Sequence, residues 1–221
     1  MANLISFQDE AYCAIKQMIL DFTLVPGEKI SRNQLQEQLG ISNTPVREAT
    51  IRLQREDLFQ IIPQSGTYVA KISLTKIEQA KFIRETIGTL TLARAQSWLT
   101  PTDYKELHKI LQLQSIYLNS NDYAPFFQLD DQFHQYFYQV TATTYTWDWI
   151  QTISMPVNRF RYLRLKLMDL SWDEILHQHQ TILNALEQQQ TELAQQTLCE
   201  HIHLMDHDLF QATHLFPRYF G

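Results

Sequence analysis

A chain of 221 residues, 44% hydrophobic and 19% charged, fits one large domain or two modest ones and can bury a core, which excludes a disordered or low-complexity protein. Its apolar runs are too short to span a bilayer, and the opening MANLISFQDE carries acids where a secretory signal has its basic region, so the expectation is a cytoplasmic protein with no membrane segment. Cys13 and Cys199 lack a CxxC partner and read as free thiols in a reducing compartment, and the net charge of -6 weighs against an extended nucleic-acid surface.

The charge is uneven along the chain. Residues 1–72 hold seven Lys/Arg against eight Asp/Glu, whereas residues 73–221 hold eleven against sixteen. Between Arg32 and Arg55 four arginines face only Glu37 and Glu48, a thin basic footprint that suits a dimer pooling two such patches.

In chain order, Tyr12, Ile15, Met18, Ile19 and Phe22 recur at helical spacing, and the turn Val25-Pro26-Gly27 ends that first helix. Ser31 to Gln34 reads as a capping box opening a short second helix, with Leu35 and Leu39 inward and Gly40 as the stop. A third helix is expected from Ser42 to Thr44 onward, with Pro45 in its first turn and Val46, Ala49, Thr50 and Leu53 as its inner face. Two helices joined by a tight glycine turn make a helix-turn-helix outline. The β-prone runs 59–63 and 67–72, reversed at Gln64-Ser65-Gly66, supply a wing.

Beyond Ser73 every long segment has helical period: 76–98, 103–118, 123–140, 146–168, 173–188 and 191–213, with breaks at 100–101, 119–122, 141–144 and 188–191. The fold class is therefore mainly α: a winged helix-turn-helix over 1–72, then an all-helical bundle over 73–221.

The start of the third helix is where short polar side chains and a forked cation would meet base edges and phosphates, and Asn43, Thr44 and Arg47 stand there. Arg32 and Asn33 open the second helix, whose amide end suits a phosphate. The run PGEKISRNQLQEQLGISNTPVREATIRLQREDLFQIIPQSGTYV resembles the winged helix-turn-helix of GntR-type regulators, in which LGVSRTPVREAL and a P-x-RG-x-x-V wing recur. The resemblance implies DNA contacts from Arg32, Asn33, Asn43, Thr44, Arg47 and the wing residue Gly66. Asn43 stands where the family usually has Arg, and Ser65 where its wing often has Arg, so base preference and phosphate affinity are expected to differ from the family's.

In LDDQFHQYFY, Asp130 and His134 lie four apart and project from one helix face. His179 shares a stripe with Ile175, Ile182 and Leu186, and His201 follows Ala194, Thr197 and Leu198, while His177 and His203 point elsewhere. Three imidazoles and one carboxylate suit zinc, nickel or another borderline divalent ion, with manganese also admissible, and bundle cores are where such sites are built. The patterns D-x-x-FH, H-x-x-IL-x-AL and A-x-x-x-L-x-x-H resemble the FCD effector domain that follows the winged helix in one branch of GntR-type regulators. That resemblance implies metal ligation by Asp130, His134, His179 and His201, and an effector-facing Arg84. Gly88 stands where the family usually has Glu, and Thr143 near a frequent Asn.

The function expected is a homodimeric transcription regulator, not an enzyme, binding a double-stranded operator and responding to a small carboxylate held by the metal and Arg84. Two other readings stand beside it: a metal-dependent hydrolase with an accessory DNA-binding module, which lacks a second acid placed as base, and a sensor whose effector is the metal itself.

Overall fold

The structure, a computed structural model, describes residues 6–120, 122–167 and 172–221. Asn121, in an expected break, and Met168, at the end of an expected helix, lie outside the described residues. Eleven α-helices and three short strands are present among the described residues, and they fall into two compact units.

The first unit comprises Met1–Thr75 with Met155–Met168 and Asp208–Gly221. Helix α1 (Phe7–Leu20) starts five residues before the expected apolar stripe, because the Ser6 hydroxyl accepts from the Asp9 amide and caps it. Strand β1 (Lys29–Ile30) follows, then α2 (Arg32–Leu39), α3 (Asn43–Arg55), β2 (Phe59–Ile62) and β3 (Gly66–Val69). The strands form an antiparallel sheet in the order β1-β3-β2, with Ile30 opposite Thr67 and Phe59 opposite Val69. β1 escapes a pattern reading because two residues carry no alternation.

Gly40 ends α2 at φ 65°, the left-handed turn that joins α2 to α3. The expected inner face of α3 is buried in full: Val46, Ala49 and Leu53 belong to one core with Ile15, Ile19, Leu35, Leu58 and Val69, and Thr50 is buried with its hydroxyl donating to the Val46 carbonyl. At the far end of α3, the Tyr12 hydroxyl donates to Glu56 at 2.7 Å, Lys16 donates to the same carboxylate at 2.8 Å, and the Arg52 guanidinium lies 3.6 Å from the Tyr12 ring centroid. This cluster ties α1 to α3.

The Ser31 to Gln34 capping box is not formed: Ser31 is the N-cap of α2 but makes no side-chain cap bond. Ser31, Arg32, Asn33 and Gln34 are all exposed, so this helix end is open to solvent and needs no reciprocal side-chain pair. Ser42 likewise caps α3 without a side-chain bond.

The second unit comprises Lys76–Ser154 and Asp169–His207. Its helices are α4 (Leu74–Gln96, whose first two residues belong to the first unit), α5 (Pro101–Asn119), α6 (Tyr123–Val140), α7 (Thr144–Ile153), α9 (Asp173–Glu187) and α10 (Thr191–His203). α5 packs on α6 and α9, α9 on α10, and α6 on α7. The core draws on Leu107, Phe126, Phe133, Phe137, Ile182, Leu183, Leu186, Ala194 and Leu198.

Two expected helices are each two helices. The segment 146–168 divides into α7 and α8 (Met155–Leu167), and 191–213 into α10 and α11 (Asp206–Leu215). Pro156 has no amide proton for the preceding turn, which interrupts the first. In the second, Leu198, Ile202, Met205, Leu209 and Ala212 are buried at helical spacing across the break, so periodicity alone conceals it.

Candidate metal centre and nucleic-acid interface

Helix α6 carries Asp130 and His134 one turn apart, α9 carries His179, and α10 carries His201. Packing of α9 on α10, and of both with α6 around a shared core, brings one ligand atom from each residue within 4.8 Å of the others. Nε2 of His134 lies 3.3 Å from Nε2 of His201, and Nε2 of His179 lies 3.4 Å from Oδ1 of Asp130. Donor atoms about 2.0–2.2 Å from one central ion stand roughly 3–4 Å apart, so the four residues suit a divalent cation without large movement.

Burial sets their chemistry. Asp130 is 3% exposed, His134 8% and His179 0%. The Phe133 ring stacks on His179 at 4.5 Å between centroids and meets His134 edge-on at 5.6 Å, excluding water from two sides. Burial pushes the His201 imidazole well below its ordinary value, and the neighbouring His179 and His134 push it further. Neutral imidazole is the form that offers a lone pair to a metal.

Two further residues complete the arrangement, and neither stands out in the sequence. Gln114 of α5 and Gln178 of α9 are buried, with Oε1 3.0 Å from His179 Nδ1 and 3.2 Å from His201 Nδ1. Glutamine has no metal-ligand signature, and only the packing of three helices shows where these side chains end.

A cavity of about 30 Å³ adjoins His134. Arg84, Thr91 and Tyr138 are its other polar lining residues, and Phe137, Trp147, Leu198 and Ile202 make most of its wall. Arg84 therefore lines the same cavity as His134. Gly88 is buried there, and a Cβ at that position would meet Leu198 Cδ2 at 3.0 Å, so a larger side chain requires Leu198 to give way by a few tenths of an ångström. Thr143 bonds Thr141 at 2.8 Å and is not among the cavity residues. His177 and His203 are exposed, and His203 bonds Asp206 at 2.8 Å and Glu85 at 3.1 Å.

In the first unit Arg32, Asn33, Asn43, Thr44 and Arg47 are exposed at the first turns of α2 and α3. Among the described residues Arg47 pairs only with the adjacent Glu48, at 3.1 Å, with both side chains about half exposed. Gly66 opens β3 at φ 136°, where a Cβ would meet Lys29 Cε at 2.9 Å. Arg52 is occupied by Tyr12, Asp9 and Glu56 and belongs to the fold.

Two family models match the chain. Residues 7–69 match the bacterial regulatory proteins of the gntR family, and residues 82–204 match the FCD domain. The HTH-type transcriptional repressor RspR of Escherichia coli K12 is 31% identical over 193 residues, covering 87% of this chain and 84% of its own. An uncharacterized HTH-type regulator from an unstable DNA locus of Streptomyces ambofaciens is 29% identical over 200 residues, covering 90% and 84%. Among solved structures, E. coli McbR/YncC superposes with a TM-score of 0.75 at 22% identity, covering 94% of this chain and 99% of its own, which shows the shared fold. No helix among the described residues is long and apolar enough to cross a membrane. The chain belongs to the GntR family of bacterial transcription regulators, in the branch that carries an FCD domain behind its winged helix-turn-helix.

Proposed function

We propose that this regulator works in the cytoplasm as a homodimer whose winged helices bind a two-fold operator, and whose FCD unit holds a divalent ion that receives a small carboxylate effector. The observation that carries the reading is the convergence of Asp130, His134, His179 and His201 within 4.8 Å, beside a cavity that Arg84 also lines. Zinc or nickel suits three imidazoles and one carboxylate, with manganese admissible. Such an ion, when bound, supplies an open coordination position to a carboxylate oxygen. Arg84 supplies a second, forked attraction for the same anion, and the apolar wall excludes water from the pair.

On the DNA side, Arg47 is the forked cation for a base or phosphate, Asn43 and Thr44 offer short polar groups, and Arg32, Asn33 and Gly66 position the backbone. The uncapped, exposed amides at the start of α2 and α3 favour phosphates. A ligand that fits one FCD arrangement better than another shifts the population of DNA-competent dimers by its differential affinity. The test is metal analysis and operator binding on the same preparation. About one divalent ion per chain is expected, retained while an added carboxylate changes operator affinity. DNA binding that responds to chelator alone would point to the metal as effector, and failure to take up zinc, nickel or manganese on titration would refute the ion site.

A further inference from the structure

Two neutral amides, rather than carboxylates, hold the backs of the candidate ligand rings. We propose that Gln114 and Gln178 are positioning residues for the ion, and that their neutrality leaves the loaded centre positively charged and selective for an anion; this rests on the ion reading above.

A neutral imidazole has one donor and one acceptor nitrogen. With Nδ1–H of His179 donating to Gln114 Oε1 at 3.0 Å, and Nδ1–H of His201 donating to Gln178 Oε1 at 3.2 Å, the lone pair of each ring is on Nε2. Those Nε2 atoms are the ones that face the other ligands: His201 Nε2 faces His134 Nε2 at 3.3 Å, and His179 Nε2 faces Asp130 Oδ1 at 3.4 Å. The two rings are thus set in tautomer and orientation before any ion arrives, which is the work of outer partners at histidine metal sites.

Gln114 is a costly residue for its place. It is 0% exposed, and its Nε2 is buried with no hydrogen-bond partner among the described residues. A leucine would fill similar volume without leaving a donor unmade. What a leucine lacks is the carbonyl oxygen facing His179.

A carboxylate would also accept from Nδ1, and would raise the basicity of the ring more. It would add a negative charge as well. With a dication, Asp130 and three neutral imidazoles the centre carries 2 − 1 = +1, and Arg84 at the adjoining cavity adds a second positive charge. Glutamates at both outer positions would bring the centre to −1, and in a buried site that difference acts strongly on an incoming anion. The glutamines therefore favour ligand binding over the tightest hold on the metal.

The test uses the full-length protein loaded with zinc or cobalt(II), and Gln178 is changed first because it is the less enclosed of the two. Gln178→Met, which removes the acceptor at similar volume, should weaken metal affinity about 10–100-fold in competition with a chromophoric chelator. Gln178→Glu should instead tighten metal binding, by roughly tenfold, and weaken binding of azide to the cobalt-loaded protein by a similar factor, read from the visible spectrum. A merely structural role would move the two variants in the same direction. Same-sign changes in metal affinity, or unchanged azide affinity in Gln178→Glu, overturn the proposal. Should either variant fail to fold, nitrogen NMR of histidine-labelled, zinc-loaded wild type decides: Nδ1–H on His179 and His201 with zinc on Nε2 supports the assignment, and zinc on Nδ1 of either ring overturns it. Wild type that takes up no metal overturns this inference together with the ion reading, whereas metal-loaded wild type with insensitive glutamine variants overturns this inference alone.

Discussion

Arg47 and Arg52 stand five residues apart on α3, and their surroundings predict opposite consequences of losing them. Among the described residues Arg47 pairs only with the neighbouring Glu48, with the two side chains 58% and 45% exposed, and such a surface pair contributes about 0–1 kcal/mol. Arg47→Ala should leave the unfolding free energy within about 0.5 kcal/mol of wild type. It should weaken operator binding by about 1–3 kcal/mol, and, if the contact is to phosphate, reduce the slope of log K against log salt by about 0.9 per half-site. Arg52 is built into the fold: its guanidinium covers the Tyr12 ring at 3.6 Å and pairs with Asp9 at 3.2 Å and Glu56 at 3.7 Å. A partly exposed cation–π contact contributes about 0.5–1 kcal/mol, and each exposed pair less than about 1. Arg52→Ala should therefore cost roughly 1–2 kcal/mol of stability and leave operator affinity near wild type well below the unfolding transition. Fluorescence-anisotropy titrations at several salt concentrations, paired with denaturant unfolding, measure both. Unchanged affinity in Arg47→Ala, or an equal loss in Arg52→Ala, would show that the reading face of α3 has been misassigned.

Three more outcomes are expected. Loading with zinc to about 100 times the dissociation constant should stabilise the protein by about 2.7 kcal/mol, and chelation should remove that gain; calorimetry should find the effect absent in His134→Ala and His201→Ala and intact in His177→Ala, a cleaner control than His203, which bonds Asp206 and Glu85. Gly66→Ala should strain the wing by roughly 1–3 kcal/mol, because φ is 136° and the new Cβ meets Lys29 Cε; an operator affinity equal to wild type would separate the wing from the DNA. Thr100→Ala should cost about 1 kcal/mol at pH 7, since the Thr100 hydroxyl and the Asp103 carboxylate cap α5 reciprocally. The Thr100 hydroxyl, then the backbone and Tyr136 bonds, hold the Asp103 carboxyl below its ordinary value against the opposing effect of burial. Its contribution is therefore present above the unfolded value of about 3.9 and lost as pH falls through the folded one. Denaturant unfolding at pH 7 and pH 3 should show the gap between variant and wild type closing in acid.

The local elements of this protein were legible in its sequence because each rests on neighbours in the chain. The inner face of α3, the glycine turn at Gly40 and the wing reversal follow from spacing and backbone preference, and the helical period of His179 and His201 places both on inward stripes. The resemblance to the GntR and FCD patterns rests on the same local runs. Periodicity was blind where a buried stripe continues across a break, as at Ser154 and at Leu204–Met205, and the two-residue strand β1 carried no pattern to read. The Ser31 capping box was read where none forms, because motif letters do not report whether an exposed helix end prefers water to its own side chain. The outer partners of the candidate ion site lay beyond the sequence altogether. Gln114 meets His179 across 65 residues and three intervening helices, a contact made only when α5 packs on α9, and an amide carbonyl has no spacing rule that would single it out beforehand.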